Sequence, residues 1–398
     1  MFLGLNRVFS TSLMAVSAAV ITACGGGGDV PEPTVAIEAA TAYAAGPISG
    51  FGSVIVNDIR YEDSNASVTD DDGRARSRDQ LKLGMSVEID SAKLDAATGT
   101  AKALRIRYGS SLVGPLTAVD TVNSVLTVLG QTVKITGTTV FDAGLVGGLA
   151  GLRTSSILEV HAQFNASDNS YTALRVENAA SATTFKLKGA VSALNATAKT
   201  FVIGGQAITY AGLAAADVPT GLANGVRAAV RLQTTAVNGQ WLATAVRAGS
   251  VKPADGLTGH VRARITAFTS ATQFEIYGGV KVDASAASFP DGQAGLALGV
   301  AVEVRGTLTN GVLVATNVEI DERHSGDRHL FKLIGTLSEL DTTAKTFKLR
   351  GITVNYSAST LSFSGGTAAD LANGKTVQVR GTPSADRTQL NASEIRFN

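Results

Sequence analysis

Apolar and polar residues alternate with a period of two along most of the chain, in runs of about four to eight residues divided by glycine-containing turns. That is the pattern of half-buried β-strands. In one run Val300, Val302 and Val304 share one face and Ala301, Glu303 and Arg305 share the other. The first face is therefore expected in a core and the second in water.

The pattern recurs as a unit of about seventy residues, the kind of period that decides a fold. Its anchor is a Leu-x-x-Gly step leading into an alternating strand: LKLGMSVEID (81 to 90), GLANGVRAAVRL (221 to 232), LALGVAVEVRG (296 to 306) and DLANGKTVQVRG (370 to 381). A degenerate copy, LRTSSILEVHA (152 to 162), has Ser155 at the glycine position. Gly84, Ser155, Gly225, Gly299 and Gly374 are 71, 70, 74 and 75 residues apart. Upstream of each lies a hairpin, with FVIGGQAITY (201 to 210) and FKLRGITVNY (347 to 356) matching position for position. LTVLGQTVKI (126 to 135), VIVNDIRY (54 to 61) and FEIYGGVKV (274 to 282) fill the same place. An opening strand is expected near Gly46, Gly114, Gly189, Gly259 and Gly335, and a closing strand at ALRIRY, ALRVEN, TAVRAG, ATNVEI and ASEIRF.

The fold class that follows is all-β: five tandem small antiparallel β-barrels, each a strand, a hairpin, a short turn or helical step, and two more strands. That order resembles an OB-like barrel, whose closure removes exposed sheet edges; an open two-layer sandwich is the alternative. The expected division is 46–110, 111–180, 181–250, 251–322 and 323–398, the five units following one another in a row. Pro253 and the charged stretch 321–328 are the expected flexible joints.

Residues 1–23 have the order of a secretory signal, with Arg7 followed by an apolar stretch that Ser10, Thr11, Ser12 and Ser17 interrupt. It is too short and too polar to span a bilayer. Ile21-Thr22-Ala23-Cys24 resembles the lipobox of bacterial lipoproteins, which implies cleavage before Cys24 and lipidation of its thiol, a durable anchor once two or more acyl chains are attached. Residues 24–45, with Gly25 to Gly28 and Pro31 and Pro33, read as the lipidated residue and a flexible leash. Gly25 in place of Asp resembles the outer-membrane sorting pattern. The expected location is the outer membrane, facing the periplasm or the cell surface, and no cofactor is expected beyond the lipid on Cys24.

Charge is balanced, with 34 basic and 33 acidic residues, and aromatic residues are few, with 1 Trp and 7 Tyr. Both argue against nucleic acid as a partner. No nucleophile elbow, phosphate loop or H-E-x-x-H occurs, so no catalytic constellation is legible. His161 and His260 are expected at the surface. Asp70-Asp71-Asp72-Gly73 lacks the alternating carboxylates of a calcium loop and reads as a polar loop. Asp321, Glu322, His324, Asp327 and His329 combine nitrogen and oxygen ligand types suited to a divalent metal, although Arg323 and Arg328 intrude and a solvated joint explains the run equally.

The unit as a whole, with its G-x-I/V-S/T opening, hairpin, Leu-x-x-Gly-x-x-V-x-V and closing A-x-x-I, resembles a bacterial tandem domain catalogued as domain of unknown function 5666. The likeness runs over residues 46 to 398, and its motifs are structural, so it transfers no catalytic residue. The expected function is a membrane-anchored, non-enzymatic binding or scaffolding arm for an envelope protein or polysaccharide. The alternative is a metal-binding protein or metal-dependent enzyme centred on residues 321–329. The oligomeric state stays open.

Overall fold

The computed structural model describes residues 39–249, 253–276, 278–321 and 330–397. Its first barrel is built from β1 (Ala42–Phe51), β2 (Val54–Val56), β3 (Ile59–Glu62), β4 (Ser67–Asp70), β5 (Ser86–Ser91) and β6 (Thr100–Tyr108). The second contains β7 (Leu112–Asp120), β8 (Val125–Val128), β9 (Gln131–Lys134), β10 (Val140–Phe141), α1 (Gly148–Gly151), β11 (Ile157–Asn165) and β12 (Ser170–Asn178). In the third, the opening strand is bent into β13 (Phe185–Ala190) and β14 (Ser192–Asn195), followed by β15 (Thr200–Ile203), β16 (Gln206–Thr209), β17 (Arg227–Leu232) and β18 (Trp241–Ala248). The fourth holds β19 (Thr258–Ser270), β20 (Gln273–Ile276), β21 (Val280–Asp283), β22 (Ala301–Thr309) and β23 (Val312–Ile320). The fifth holds β24 (Phe331–Asp341), β25 (Thr346–Leu349), β26 (Ile352–Asn355), β27 (Ser362–Ser364), β28 (Thr376–Pro383) and β29 (Leu390–Phe397).

Every barrel closes in the same way. In the first, β1 pairs with β2 and β2 with β3; β3 lies parallel to β6, β6 pairs with β5, and β5 returns to β1. The last barrel repeats this through β24, β25, β26, β29 and β28. Such closure leaves no free edge within a unit. The Leu-x-x-Gly anchor owes its identity to this geometry. Gly84, Gly225, Gly299 and Gly374 have φ between 80° and 90°, and Ser155 adopts 76°. Each donates its N–H to an apolar residue of the opening strand, in turn Ile48, Val191, Ile265, Leu337 and, for Ser155, Leu116, at 2.8–2.9 Å. The left-handed step thus seats the fourth strand on the first.

Inward-facing residues fill the barrels as the alternation predicts: Ile48, Ile89 and Ile106 in the first, Val302 and Val304 in the fourth, Leu333, Val377 and Ile395 in the fifth are inaccessible. The paired Phe and Tyr of the two matching hairpins lie 5.7 Å apart, Phe201 on Tyr210 and Phe347 on Tyr356.

The five barrels do not stand in a row. β1 pairs in parallel with β19 through Ala42–Ala45 and Thr258–Val261, and with β24 through Gly50 and Phe51. β7 and β13 pair antiparallel through Leu112 and Val113. Barrels one, four and five therefore share one continuous sheet, and barrels two and three another. The second barrel also touches the fifth: Phe141 donates to the Arg387 carbonyl, and Arg387 Nε to that of Thr136.

This clustering buries residues expected in water. Glu303 is 2% exposed and Ala301 6%, because their face of β22 is covered. His161, expected at the surface, is 1% exposed, and His260 is 9% exposed. A bulge between His161 and Ala162 breaks the alternation of β11, and beyond it both faces of the strand are buried.

Candidate functional site

The acidic loop of the first barrel organises the junction. Asp70 folds the loop on itself, accepting from the backbone N–H groups of Asp72 and Arg74 and from Arg76 Nε, each at 2.9 Å. Asp71 and Asp72 are thereby left to reach the third barrel. Lys186 Nζ donates to the two carboxylate oxygens of Asp71 at 2.8 and 2.7 Å, and Lys188 Nζ lies 2.7 Å from the second. Asp72 takes Arg231 at 2.5 Å. A Cβ at Gly109 would sit 2.4 Å from the Asp71 carboxyl, so a side chain there would block the clasp. The polar loop is thus an inter-barrel clasp through Asp71 and Asp72, while Gly73, Arg74 and Arg76 stay exposed.

Burial alone would raise the Asp71 carboxyl, but Lys188 and Lys186 together hold it well below the usual carboxylate range. Burial and the neighbouring Lys188 push Lys186 down to about 8, against the pull of Asp71.

Beside the clasp lies a cavity of about 140 Å³ to which four barrels contribute. Tyr43, Pro47, Glu88 and Arg107 come from the first, Gln163 from the second, Lys188, Arg231 and Arg247 from the third, and Val261, Arg262 and Val280 from the fourth. Two of the lining residues each hold a polar atom that is closed off from solvent and has no hydrogen-bond partner among the described residues, Oε1 of Gln163, a residue 4% exposed, and Nε of Arg107. Arg107 pairs with Glu88 through an Nη atom only. A larger, more polar cleft of about 670 Å³ runs between barrels one, two and three, and Asp71, Tyr108, Lys186 and Arg231 border both spaces.

A second buried ionic cluster ties the fourth barrel to the first. Glu303 accepts from His260 Nε2 at 2.8 Å, from Arg305 at 2.6 Å and from Arg262. Arg262 also reaches Asp58 at 3.3 Å, and Asn57 Nδ2 donates to the His260 carbonyl at 2.9 Å. Burial opposes ionisation of Glu303, yet the bonds from His260 and Arg262 outweigh it and hold the carboxyl well below its usual range.

Of the residues singled out in the sequence for metal, only Asp321 belongs to the described residues; it is buried, with its carboxylate 3.5 Å from Arg262 Nε. Glu322, His324, Asp327 and His329, like Cys24, lie outside them. Among the described residues no group of three His, Cys, Asp or Glu side chains is placed to hold a metal ion, and no helix is long and apolar enough to cross a membrane. The clasp and the cavity had no local signature: Asp71 and Lys186 are 115 residues apart. The available signals were the acidic run Asp70-Asp71-Asp72 and the pair Lys186 and Lys188, two cations on one face of an opening strand, with nothing in the sequence to join them.

The fold and the junction define a protein of tandem closed β-barrels assembled around a shared polar centre. The sequence profile of the family described as domain of unknown function (DUF5666) matches residues 113–177, 188–247, 262–319 and 334–396. The chain belongs to that family. The first barrel lies outside the matched segments but carries the same closure and the same bond from its anchor glycine. No curated protein matches the chain. Among solved structures it is similar to one titled "drosophila Unr CSD456", at 10% identity and a TM-score of 0.14, over 55% of this chain and 98% of that one.

Proposed function

We propose that the chain is a lipid-anchored envelope protein, held in the outer membrane through Cys24, whose five barrels form a non-enzymatic binding head for an envelope component. The signal, lipobox and leash before β1 support the anchor; β1 begins at Ala42, so the leash ends earlier than the 45 expected from sequence. The binding role rests on one observation: a cavity of about 140 Å³ walled by residues of four barrels. Convergence of several domains on one cavity is the usual setting of ligand sites. Clustering makes the barrels a compact head in place of the extended arm read from the repeats alone.

The test joins both halves. Cells expressing the chain are fed an alkyne-bearing palmitate, and the membrane fraction is assayed for labelled protein. Wild type should label and sediment with outer membranes, and Cys24→Ala should do neither. The purified wild type is then titrated with peptidoglycan fragments, lipopolysaccharide and capsular polysaccharide. Absence of label would remove the anchor, and failure to bind any envelope fraction would remove the binding role.

A further inference from the structure

The outer face shared by barrels one and five carries cations in register. Arg60 on β3 pairs with Ile55 on β2, Ile55 with Gly50 on β1, Gly50 with Lys332 on β24, Lys332 with Arg380 on β28, and Arg380 with Glu394 on β29. Residues in register on neighbouring strands leave the same face of a sheet, so these positions form one line across the strands. The next line holds Ile334, Gln378 and Arg396. Four cations stand here against two carboxylates: Arg60 is bound to Glu62 at 3.1 Å, whereas Arg380 comes no nearer to Glu394 than 3.8 Å. Among the described residues Lys332 and Arg396 have no ion pair. Burial, Arg380, Arg60 and Arg396 hold the Lys332 amine below its usual range, with Glu394 opposing them. Like charges directly opposite on a sheet destabilise it, and Lys332 opposite Arg380 is such a pair. The core does not require that pair, since the inaccessible Leu333 and Val379 beside it fill the barrel.

From Arg60 to Arg380 the line spans four strand spacings, about 19 Å. Its middle is low, because Gly50 has no side chain and Ile55 is 6% exposed. That length is too great for one small anion and suits a chain whose charges recur along it. An anionic membrane surface favours uninterrupted cations with apolar groups to insert, and single-stranded nucleic acid favours aromatic platforms. This line has neither, and carboxylates bound it, with Glu62 beside Arg60 and Glu394 beyond Arg380. We infer that the face is a docking surface for an acidic polysaccharide lying across the strands, with carboxylates of different sugar units on Lys332, Arg380 and Arg396 and with Arg60 adding its charge at the far end. Arginine is the natural fork for such groups. None of the four cations lines the central cavity, so this surface is separate from the one proposed above and stands without it.

The test is calorimetric titration, at low salt, of the full chain purified from membranes in mild detergent. The titrants are a galacturonate oligomer, galacturonate itself, neutral dextran, single-stranded DNA and mixed micelles carrying phosphatidylglycerol. The oligomer should bind about tenfold or more tightly than the monomer and should weaken as salt is raised, and dextran should not bind. Lys332→Met should weaken oligomer binding about tenfold, and the double variant Arg380→Glu, Arg396→Glu should abolish it. Both arginines are exposed, so the double variant keeps its strand content by circular dichroism. Lys199→Glu, on an exposed turn of the third barrel, should bind as wild type does. The inference is overturned by an oligomer that fails to bind or binds no better than the monomer, by affinity that survives in the double variant, or by equal loss in Lys199→Glu. DNA or the anionic micelles binding as tightly as the oligomer would overturn it too. If the oligomer fails while an envelope fraction still binds, this surface falls and the binding role stands.

Discussion

The Nζ of Lys186 lies within 2.8 Å of both carboxylate oxygens of Asp71, joining the opening strand of the third barrel to a loop of the first. The pair is largely buried, with 5% and 19% of the two side chains exposed. Removing one partner of a buried pair leaves the other charged and desolvated, so Asp71→Ala should cost about 3–5 kcal/mol. The double variant Asp71→Ala, Lys186→Met should recover part of that loss, although Lys188 still loses its contact with this carboxylate. Urea unfolding of the single and double variants gives the coupling directly, and a single variant within about 0.5 kcal/mol of wild type would refute the clasp.

Acid should weaken the fold in two stages. Burial pushes His161 from 6.5 down to about 4, only partly opposed by Glu159 at 3.9 Å. The folded state therefore keeps this imidazole neutral while the unfolded chain takes up a proton, and stability falls as pH drops from about 6.5 towards 4. At pH 5 the loss from this group is about 2 kcal/mol relative to neutral pH. His161→Leu should flatten that slope. Below about pH 4 a second loss follows as Asp71 and Glu303, whose folded values lie under the usual range, are protonated in the unfolded chain first. Urea midpoints of wild type and His161→Leu, taken across this range, separate the two stages. Parallel curves would place His161 in water after all.

The repeat was legible because each barrel needs the same backbone step. Gly84, Gly225, Gly299 and Gly374 announce a left-handed residue, and the alternation after them announces a strand with one buried face. What alternation does not encode is what covers the other face. Glu303 and His161 look like solvated positions in any local reading. They are buried because the opening strand of the first barrel pairs with the fourth and fifth barrels, and because β11 is covered on both faces. Asp71 stands in a conspicuous acidic run and Lys186 beside Lys188, but nothing local pairs the two, which meet only through tertiary packing. Long-range ion pairs between repeats carry no periodic signal, so the candidate cavity that they border had none either.

Ser155 offers a test of the anchor. It is exposed and holds φ at 76°, where a non-glycine residue is strained by roughly 1 kcal/mol. Ser155→Gly should therefore raise stability by up to about 1 kcal/mol, seen as a higher urea midpoint. Gly374→Ala should lower it by about the same amount, since open space surrounds Gly374 and only its φ of 90° resists a side chain. Equal midpoints for both variants and wild type would mean that the left-handed step is not what fixes the residue.

Pairing of β1 with both β19 and β24 makes a prediction about size. A single compact body of the length described has a radius of gyration of about 21 Å, whereas five barrels strung in a row would exceed that by half or more. Small-angle scattering of the barrel region, residues 39–398, should give a value near the first. Glu303→Ala sharpens the test: it leaves Arg262 and His260 buried beside the first barrel without their shared carboxylate, and it should loosen the contact between barrels one and four. A larger radius in that variant, with strand content unchanged by circular dichroism, would identify the Glu303 cluster as a lock between domains. An unchanged radius with lower stability would make it an internal brace of the fourth barrel, and a wild type already extended would refute the cluster itself.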